Sequence, residues 1–352
     1  MPTIYSNAPL GNNPYQRMIY SRFAGYNVRV VRLNTFYAGE PPEVREGDIY
    51  WIHWETVEFG SPKNEVPITE RFQKIEAGLS KLKQQGAKIV WTVHNFHPHN
   101  SARDMEAIHK GREILVRLAD KIHVHTPYAK DLLAKTYGIS ADKLVRVAHP
   151  SYLGVYEPLD ATMERRDVLP SANNRRFVHI GKVQENRGGR FMWKALKSLH
   201  LRDQSWELDI TGAVIAGERR GQQAIREMSN VRFHDKYLPD DELSDIVASS
   251  HMCVAPFSRI LTSGSVNLAL TFGLPVIGPN VQALRDHLPE QVRHFLYVDG
   301  NPRGMMFQMR KAIDLDDVDL LAMKAACMDY AYGIRPEVQS EALRTALDVP
   351  VS

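Results

Sequence analysis

The sequence predicts an α/β fold built from two doubly wound parallel-sheet domains. Short apolar runs of strand length alternate with amphipathic helical segments through most of the 352 residues. The alternation breaks once, near residues 156–176, a stretch rich in Pro, Asp, Asn and Arg with no periodicity. Beyond that stretch the strand–helix rhythm starts again. Residues 1–155 and 176–352 are therefore the predicted domains and 156–175 the linker, with the last helix free to pack back on the first domain. Two such domains predict a cleft between their sheets, because ligands of open α/β sheets sit outside the carboxyl ends of the strands.

Each element has a local reason. A strand at 3–6 leads through a loop to Asn13-Pro14-Tyr15-Gln16, which opens a helix with Asn at the cap and Pro at the first position. Strands are predicted at 28–33 and 48–54, then an amphipathic helix at 68–85 carrying Lys74, Lys81 and Lys83. The remainder of the first domain alternates: strand 88–94, helix 102–118, strand 121–125, helix 127–136 and strand 144–149. In the second, strands at 177–180, 206–211, 231–234 and 252–257 are separated by helices ending near 199, 228 and 249. A helix at 266–272, strands at 274–277 and 294–298, and two or three terminal helices complete the chain.

Composition sets limits. With 43% hydrophobic and 24% charged residues the chain reads as soluble and globular. A net charge of +3 is too small to argue for nucleic acid. The two cysteines, Cys253 and Cys327, form neither a disulfide framework nor a zinc pattern, and they fit a reducing cytoplasm. The start MPTIYSNAPLG lacks the regions of a signal peptide, and no window approaches 18 apolar residues.

Chemistry is expected in three places. Thr262-Ser263-Gly264-Ser265 is an oxygen-rich turn between a strand and a helix, where unpaired N–H groups and the helix dipole suit a diphosphate. The same turn also serves as an ordinary N-cap. Lys182 and Arg187 lie on the loop after the first strand of the second domain, placed to reach the same crevice; as an alternative they are solvated surface cations. Four predicted strands of the first domain end at or beside a histidine: His53, His94, His125 and His149. The densest cluster, His94-Asn95-Phe96-His97-Pro98-His99, matches no zinc spacing, so no metal is expected.

These residues resemble the GT-B nucleotide-sugar glycosyltransferases. Gly181-Lys182-x4-Arg187-Gly188 is similar to the Gly-Arg-x4-Lys-Gly element that grips the donor diphosphate in family 4-like members, with the cations exchanged. The turn at 262–265, Leu268-Ala269-Leu270 and Gly273-Leu274-Pro275-Val276 look like the donor-site helix and its following strand. Asn13-Pro14-Tyr15, His53-Trp54, Val93-His94-Asn95, Pro98-His99, His149 and Tyr152, in that order, resemble the β-mannosyltransferases of xanthan-type polysaccharide assembly. Many retaining members carry two glutamates where this chain has Ile260 and Leu268.

The resemblance implies two Rossmann-like domains and sugar transfer from a nucleoside-diphosphate sugar to a hydroxyl of a glycan or lipid-linked glycan, with inversion. Lys182, Arg187, Thr262, Ser263, Gly264, Ser265 and Tyr237 are the expected donor-binding residues. Asn13, His53, Asn95, His99, His125, His149 and Tyr152 are expected on the acceptor side, with His94 or Glu55 as the base. GDP-mannose comes first among donors, and no cofactor is expected. Basic, partly apolar helix faces at 68–85 and 102–121 suggest a cytoplasmic protein held peripherally on an anionic membrane surface. The alternatives are a GT-B epimerase or phosphorylase, or a module that binds a sugar nucleotide or glycan without turning it over.

Overall fold

A computed structural model describes residues 1–11, 13–60, 66–97, 104–183, 188–212 and 219–349. The chain forms two compact units, Met1–Ala148 with Glu337–Ser352 and His149–Pro336. The break falls after Ala148, earlier than expected. The stretch read as a linker belongs to the second unit, where residues Leu159–Met163 form a short helix.

The first unit runs β1 (Thr3–Ser6), α1 (Tyr15–Ile19), β2 (Asn27–Val30), α2 (Asn34–Tyr37), β3 (Ile49–His53), α3 (Thr56–Phe59), α4 (Ile68–Gln84), β4 (Lys88–Thr92), α5 (Met105–Leu118), β5 (Lys121–Val124), α6 (Pro127–Tyr137) and β6 (Leu144–Arg146). Its six strands pair in parallel in the order β2-β1-β3-β4-β5-β6. All five residues of β3 are buried, as a strand covered on both faces requires. Thr126 caps α6 by accepting from the Ala129 N–H at 3.0 Å, Pro127 takes the first helical position, and Gly138 ends the helix in the left-handed conformation. The connection order reverses between β1 and β3, which makes their carboxyl ends the crevice of this sheet.

The second unit continues with α7 (Leu159–Met163), β7 (Arg175–Ile180), α8 (Gly189–His200), β8 (Trp206–Thr211), α9 (Arg219–Arg226), β9 (Val231–His234), α10 (Asp240–Ala248), β10 (Met252–Val254), α11 (Gly264–Thr271), β11 (Val276–Pro279), α12 (Gln282–His287), β12 (Leu296–Tyr297), α13 (Pro302–Ile313) and α14 (Asp317–Gly333). Its parallel sheet reads β9-β8-β7-β10-β11-β12, with the switch point between β7 and β10. Phe177, Trp206, Met192, Leu196, Met252, Ile277 and Phe295 meet in its core.

The strand expected at 294–298 is shorter. Glu290–Phe295 winds as a 3-10 helix and only Leu296–Tyr297 pairs. Val292 and Phe295 lie three apart, so the three-residue turn buries both on one edge. Under α11, the buried Lys324 of α14 donates to the Phe272 carbonyl at 3.1 Å, and burial brings its pKa down to about 8.

The helix α15 (Pro336–Ala346) packs with the first unit. The Ser340 hydroxyl donates to the Ile19 carbonyl at 2.7 Å and accepts from the Arg22 N–H at 2.9 Å. Lys88 also donates to the Leu347 carbonyl. Ser340→Ala leaves two backbone groups without a partner, each costing about 1–3 kcal/mol when buried. The variant should unfold at lower urea concentration than wild type, whereas an unchanged midpoint would mean that α15 adds nothing to the first unit.

Candidate active site

At the switch point of the first sheet, Asn7 follows β1 and clamps the backbone of His53 at the end of β3. Its amide donates to the His53 carbonyl at 2.8 Å and accepts from the His53 N–H at 2.6 Å. The His53 ring, with no solvent exposure, meets Tyr20 Oη through Nε2 at 2.8 Å and His94 Nε2 through Nδ1 at 3.1 Å. Trp54 lies flat on His94, centroids 4.3 Å apart and planes 10° off parallel. It does so with φ at +47°, a left-handed conformation that a bulky residue adopts only under constraint.

Two further histidines complete this wall. Trp51 Nε1–H donates to Thr92 Oγ1 at 2.8 Å, and that hydroxyl reaches His123 Nδ1 at 3.2 Å. His123 Nε2 and His125 Nδ1 both meet the Val147 carbonyl, at 2.9 and 3.1 Å, and Tyr15 Oη meets His125 Nε2 at 3.1 Å. A carbonyl only accepts, so each ring must carry its proton on the nitrogen facing Val147. Burial lowers the His123 pKa to about 4, and burial with His123 nearby holds His53 well below the usual histidine range. The rings of His53 and His123 are thus neutral near pH 7.

Glu55 has a different job from the one expected. It is 1% exposed, and its Oε1 takes Arg112 Nε at 2.8 Å and Nη2 at 2.7 Å while Trp91 Nε1–H donates to Oε2 at 3.3 Å. Both oxygens are occupied, so the carboxylate is unsuited to accepting a substrate proton. Arg112 spends its other donors on the carbonyls of Phe96 and Asn95, at 2.8 and 2.6 Å, which fixes the loop that follows His94. Asn13 is exposed and accepts from the Tyr15 N–H at 3.0 Å. His99 lies outside the described residues.

In the second unit the turn expected to bind the donor lies against the ends of β7 and β8, at the β7–β10 switch. Gly181, at φ +101°, directly follows β7, and a side chain there would meet Ser265 Oγ at 3.3 Å. Gly212 follows β8 at φ +128°, and a Cβ there would lie 2.7 Å from the Gly181 carbonyl carbon. Ser263 caps α11 by accepting from the Val266 N–H at 3.3 Å. A Cβ on Gly264 would lie 2.6 Å from Tyr152 Oη, so only glycine lets the turn close there. Thr262 Oγ1 and Asn267 Oδ1 are buried with no hydrogen-bond partner among the described residues, as polar atoms awaiting a ligand would be. Arg187 lies outside the described residues; Lys182 is exposed.

Beside this corner opens a cavity of about 320 Å³, lined by Ile180, Gly181, Lys182, Tyr156, Tyr237 and Leu238 among others. That is the lower end of the usual ligand-pocket range. Burial, with Asp240 and Tyr237 nearby, pushes the Tyr156 hydroxyl up to about 12. His149 and Tyr152, expected on the acceptor side, belong to this unit instead. The Asn267 amide donates to the His149 carbonyl at 3.4 Å, and the Tyr152 N–H donates to Thr271 Oγ1 at 2.9 Å.

Sequence reading missed Asn7, Tyr20, Arg112, Tyr156 and Gly212, and it named Tyr15 only within the Asn13-Pro14-Tyr15 resemblance. Asn7 and Gly212 follow strands directly, and that position was the available signal. Among the described residues no group of three or more His, Cys, Asp or Glu is arranged to hold a metal ion, and no helix is long and apolar enough to cross a membrane. The basic faces of α4 and α5 are largely paired: Lys74 with Glu70, Lys83 with Asp120, Lys110 with Glu106 and Arg117 with Glu76.

Two parallel six-stranded sheets, each interleaved with helices, define the GT-B architecture. Comparison with solved structures gives the same fold. The Anabaena protein HepE, crystallised with UDP and glucose, superposes with a TM-score of 0.70 at 12% identity over 99% of this chain and 100% of that one. Sucrose-phosphate synthase of Thermosynechococcus elongatus gives 0.71 at 13% identity over 98% of each chain. Residues 174–314 match the family described as glycosyl transferases group 1. The GDP-mannose:glycolipid 4-beta-D-mannosyltransferase of Xanthomonas campestris pv. campestris is 24% identical over 204 residues, 57% of this chain and 52% of that protein. The match thus spans about half the length of that curated relative.

Glu55→Gln weakens the partner of a buried guanidinium, and breaking a buried pair costs about 3–5 kcal/mol. Its thermal midpoint should fall well below that of wild type; an unshifted midpoint would return Glu55 to the list of free carboxylates. The buried histidines make a second prediction. His123, His251 and His287 all sit near pKa 4 through burial, against about 6.5 in the unfolded chain. The unfolded state therefore binds more protons as pH falls through this window, so stability present above 6.5 is lost towards 4. Urea midpoints should already drop between pH 6.5 and 5, before most carboxylates titrate; a flat profile there would contradict the neutral assignment.

Proposed function

We propose that this chain is a glycosyltransferase that moves a sugar from a nucleoside-diphosphate sugar to a hydroxyl of a glycan or lipid-linked glycan. The observation that carries the reading is the corner where Gly181-Lys182, Gly212 and the capped Ser263-Gly264-Ser265 turn converge beside an apolar-walled cavity. Backbone packed this closely lets a diphosphate approach N–H groups at the start of α11, and Lys182 supplies a cation. The cavity has room for a nucleobase against Ile180, Tyr156 and Leu238. The group 1 match covers this same region.

The donor is a nucleotide sugar, and both UDP- and GDP-linked sugars belong in the first screen. HepE was crystallised with UDP-glucose, and the Xanthomonas relative is named for GDP-mannose. The transfer inverts the anomeric centre without a metal or other cofactor: lysine, arginine and helix N-terminus answer the leaving charge. The first unit supplies the base. His94 is the residue assigned to it, because Glu55 is engaged with Arg112. The product feeds polysaccharide or glycoconjugate synthesis. The reading also includes cytoplasmic location and peripheral attachment to an anionic membrane, on the strength of the sequence; the pairing of α4 and α5 cations reduces the face available for it.

Charge-assisted contacts contribute about 1.5–3 kcal/mol each. Lys182→Ala should therefore weaken donor binding at least about tenfold by calorimetry, with the fold intact, and unchanged donor affinity would remove the core of this reading. Activity should survive exhaustive chelation; restoration by a single divalent ion after loss would require a metal site. His94→Ala should lower turnover by about 10² or more with donor affinity near wild type.

A further inference from the structure

Within the second unit, one buried side chain ends in a hydroxyl that the fold itself does not use. Tyr152 is 8% exposed, and among the described residues its Oη has no hydrogen-bond partner. That oxygen stands over the start of α11. A Cβ on Gly264 would lie 2.6 Å from Oη, with the Tyr152 Cζ next at 3.8 Å. The first N–H groups of a helix have no partner within it, and here the Ser263 side chain answers only the one on Val266. A buried phenol and unpaired N–H groups therefore meet at one corner. The Thr262 hydroxyl, just before the turn, is also without a partner among the described residues.

The backbone around the ring is fixed. The Tyr152 N–H donates to Thr271 Oγ1 at 2.9 Å, and that hydroxyl donates to the Asn267 carbonyl at 2.7 Å. Tyr152 is thus tied to the same helix whose first turn its hydroxyl meets. Before it, the buried Ser151 gives its N–H to the Ile334 carbonyl at 2.9 Å and its hydroxyl to the Ala331 carbonyl at 2.7 Å. The ring packs against His149 and Tyr156, at centroid distances of 5.9 and 5.5 Å. Burial, with Tyr156 nearby, holds the Tyr152 hydroxyl above the ordinary tyrosine range, so it keeps its proton at neutral pH. Fixing a polar group this firmly without a partner is unfavourable for the fold alone, and a ligand that accepts its proton removes the cost.

We propose that Tyr152 is a donor-site residue, its O–H donating to an oxygen of the diphosphate at the start of α11. This rests on the transferase reading above and adds to its donor site a residue expected with the acceptor. The ligand class follows from the groups that converge. A phenol that keeps its proton, helix N–H groups and the Lys182 ammonium all donate, and they suit a partner with several anionic oxygens. The phenol transfers no proton in the reaction. As the bond from the sugar to the diphosphate breaks, its electrons go to the diphosphate oxygen, and the hydrogen bond strengthens with the charge it faces.

Calorimetry on the full chain with UDP, GDP, inorganic pyrophosphate, uridine and guanosine tests this. Tyr152→Phe removes one oxygen. It should weaken binding of UDP or GDP, and of pyrophosphate, at least about tenfold, as loss of a charge-assisted contact does, and leave nucleoside affinity unchanged. Its thermal midpoint should not fall, because without ligand the hydroxyl bonds to no other protein group; a clear drop would mark a structural hydrogen bond and overturn the proposal. Gly264→Ala checks the geometry. Its methyl should destabilise the wild-type chain and be tolerated in the Tyr152→Phe background, where the nearest ring atom lies 3.8 Å away. Equal destabilisation in both backgrounds would place Oη elsewhere and count against the assignment. Equal UDP, GDP and pyrophosphate affinity in wild type and Tyr152→Phe would overturn the proposal while leaving the transferase reading in place. If wild type bound pyrophosphate but neither nucleotide, loss of that binding in Tyr152→Phe would support the anion contact and refute the donor assigned to it. A wild type that bound none of the three would overturn both.

Discussion

The buried pair between Glu55 and Arg112 is the interaction on which the strand-end loops of the first unit depend. A guanidinium and a carboxylate taken out of water are costly, and the cost is met only where every remaining donor finds an acceptor. Here the donors do. Arg112 reaches the start of α3 through Glu55 and the loop after β4 through the carbonyls of Asn95 and Phe96. One side chain on α5 thereby ties two strand-end loops together, and those loops carry Trp54 and His94. A carboxylate in the sequence beside a histidine looks like a base. In the fold it is the post to which the loop is moored.

The second unit solves a similar positioning problem with backbone alone. Where β7 and β8 end, Gly181 and Gly212 press their main chains together, and Gly264 lets α11 begin against Tyr152. Positions that require positive φ or tolerate no Cβ give rigid, close-lying N–H groups at no loss of side-chain entropy. Rigidity of this kind suits a ligand whose recognition is mostly by charge and shape, because donors already in place need not reorganise on binding.

Much of this was legible in the chain. Strand-length apolar runs gave β1, β8 and β9 at their observed limits, and the capped turn before α11 was visible in its composition. The losses have physical causes. An arginine within an amphipathic helix reads as solvated, so the pairing of Arg112 with a residue 57 positions away was invisible. Tyr15 and Tyr20 sit on and just after a helix of one turn or so, too short for periodicity to assign their faces. The stretch of 156–175 looked like a linker because its polar composition hides the α7 turn and the contribution of Tyr156 to the cavity. His149 and Tyr152 were assigned to the wrong unit because sequence gives order along the chain and no sense of which sheet a loop packs on.

The return of α15 to the first unit has a consequence for how the protein is made. The second unit is one uninterrupted stretch, His149–Pro336, and it can close on itself as soon as it has been synthesised. The first unit cannot. The Ile19 carbonyl and the Arg22 N–H wait for Ser340, which lies 321 and 318 residues further on. At ribosomal speeds of about 5–20 residues per second, that delay is on the order of tens of seconds. The part of the chain that emerges first is therefore completed last. Its sheet spends that interval lacking a helix, in the open form that chaperones bind and proteases cut.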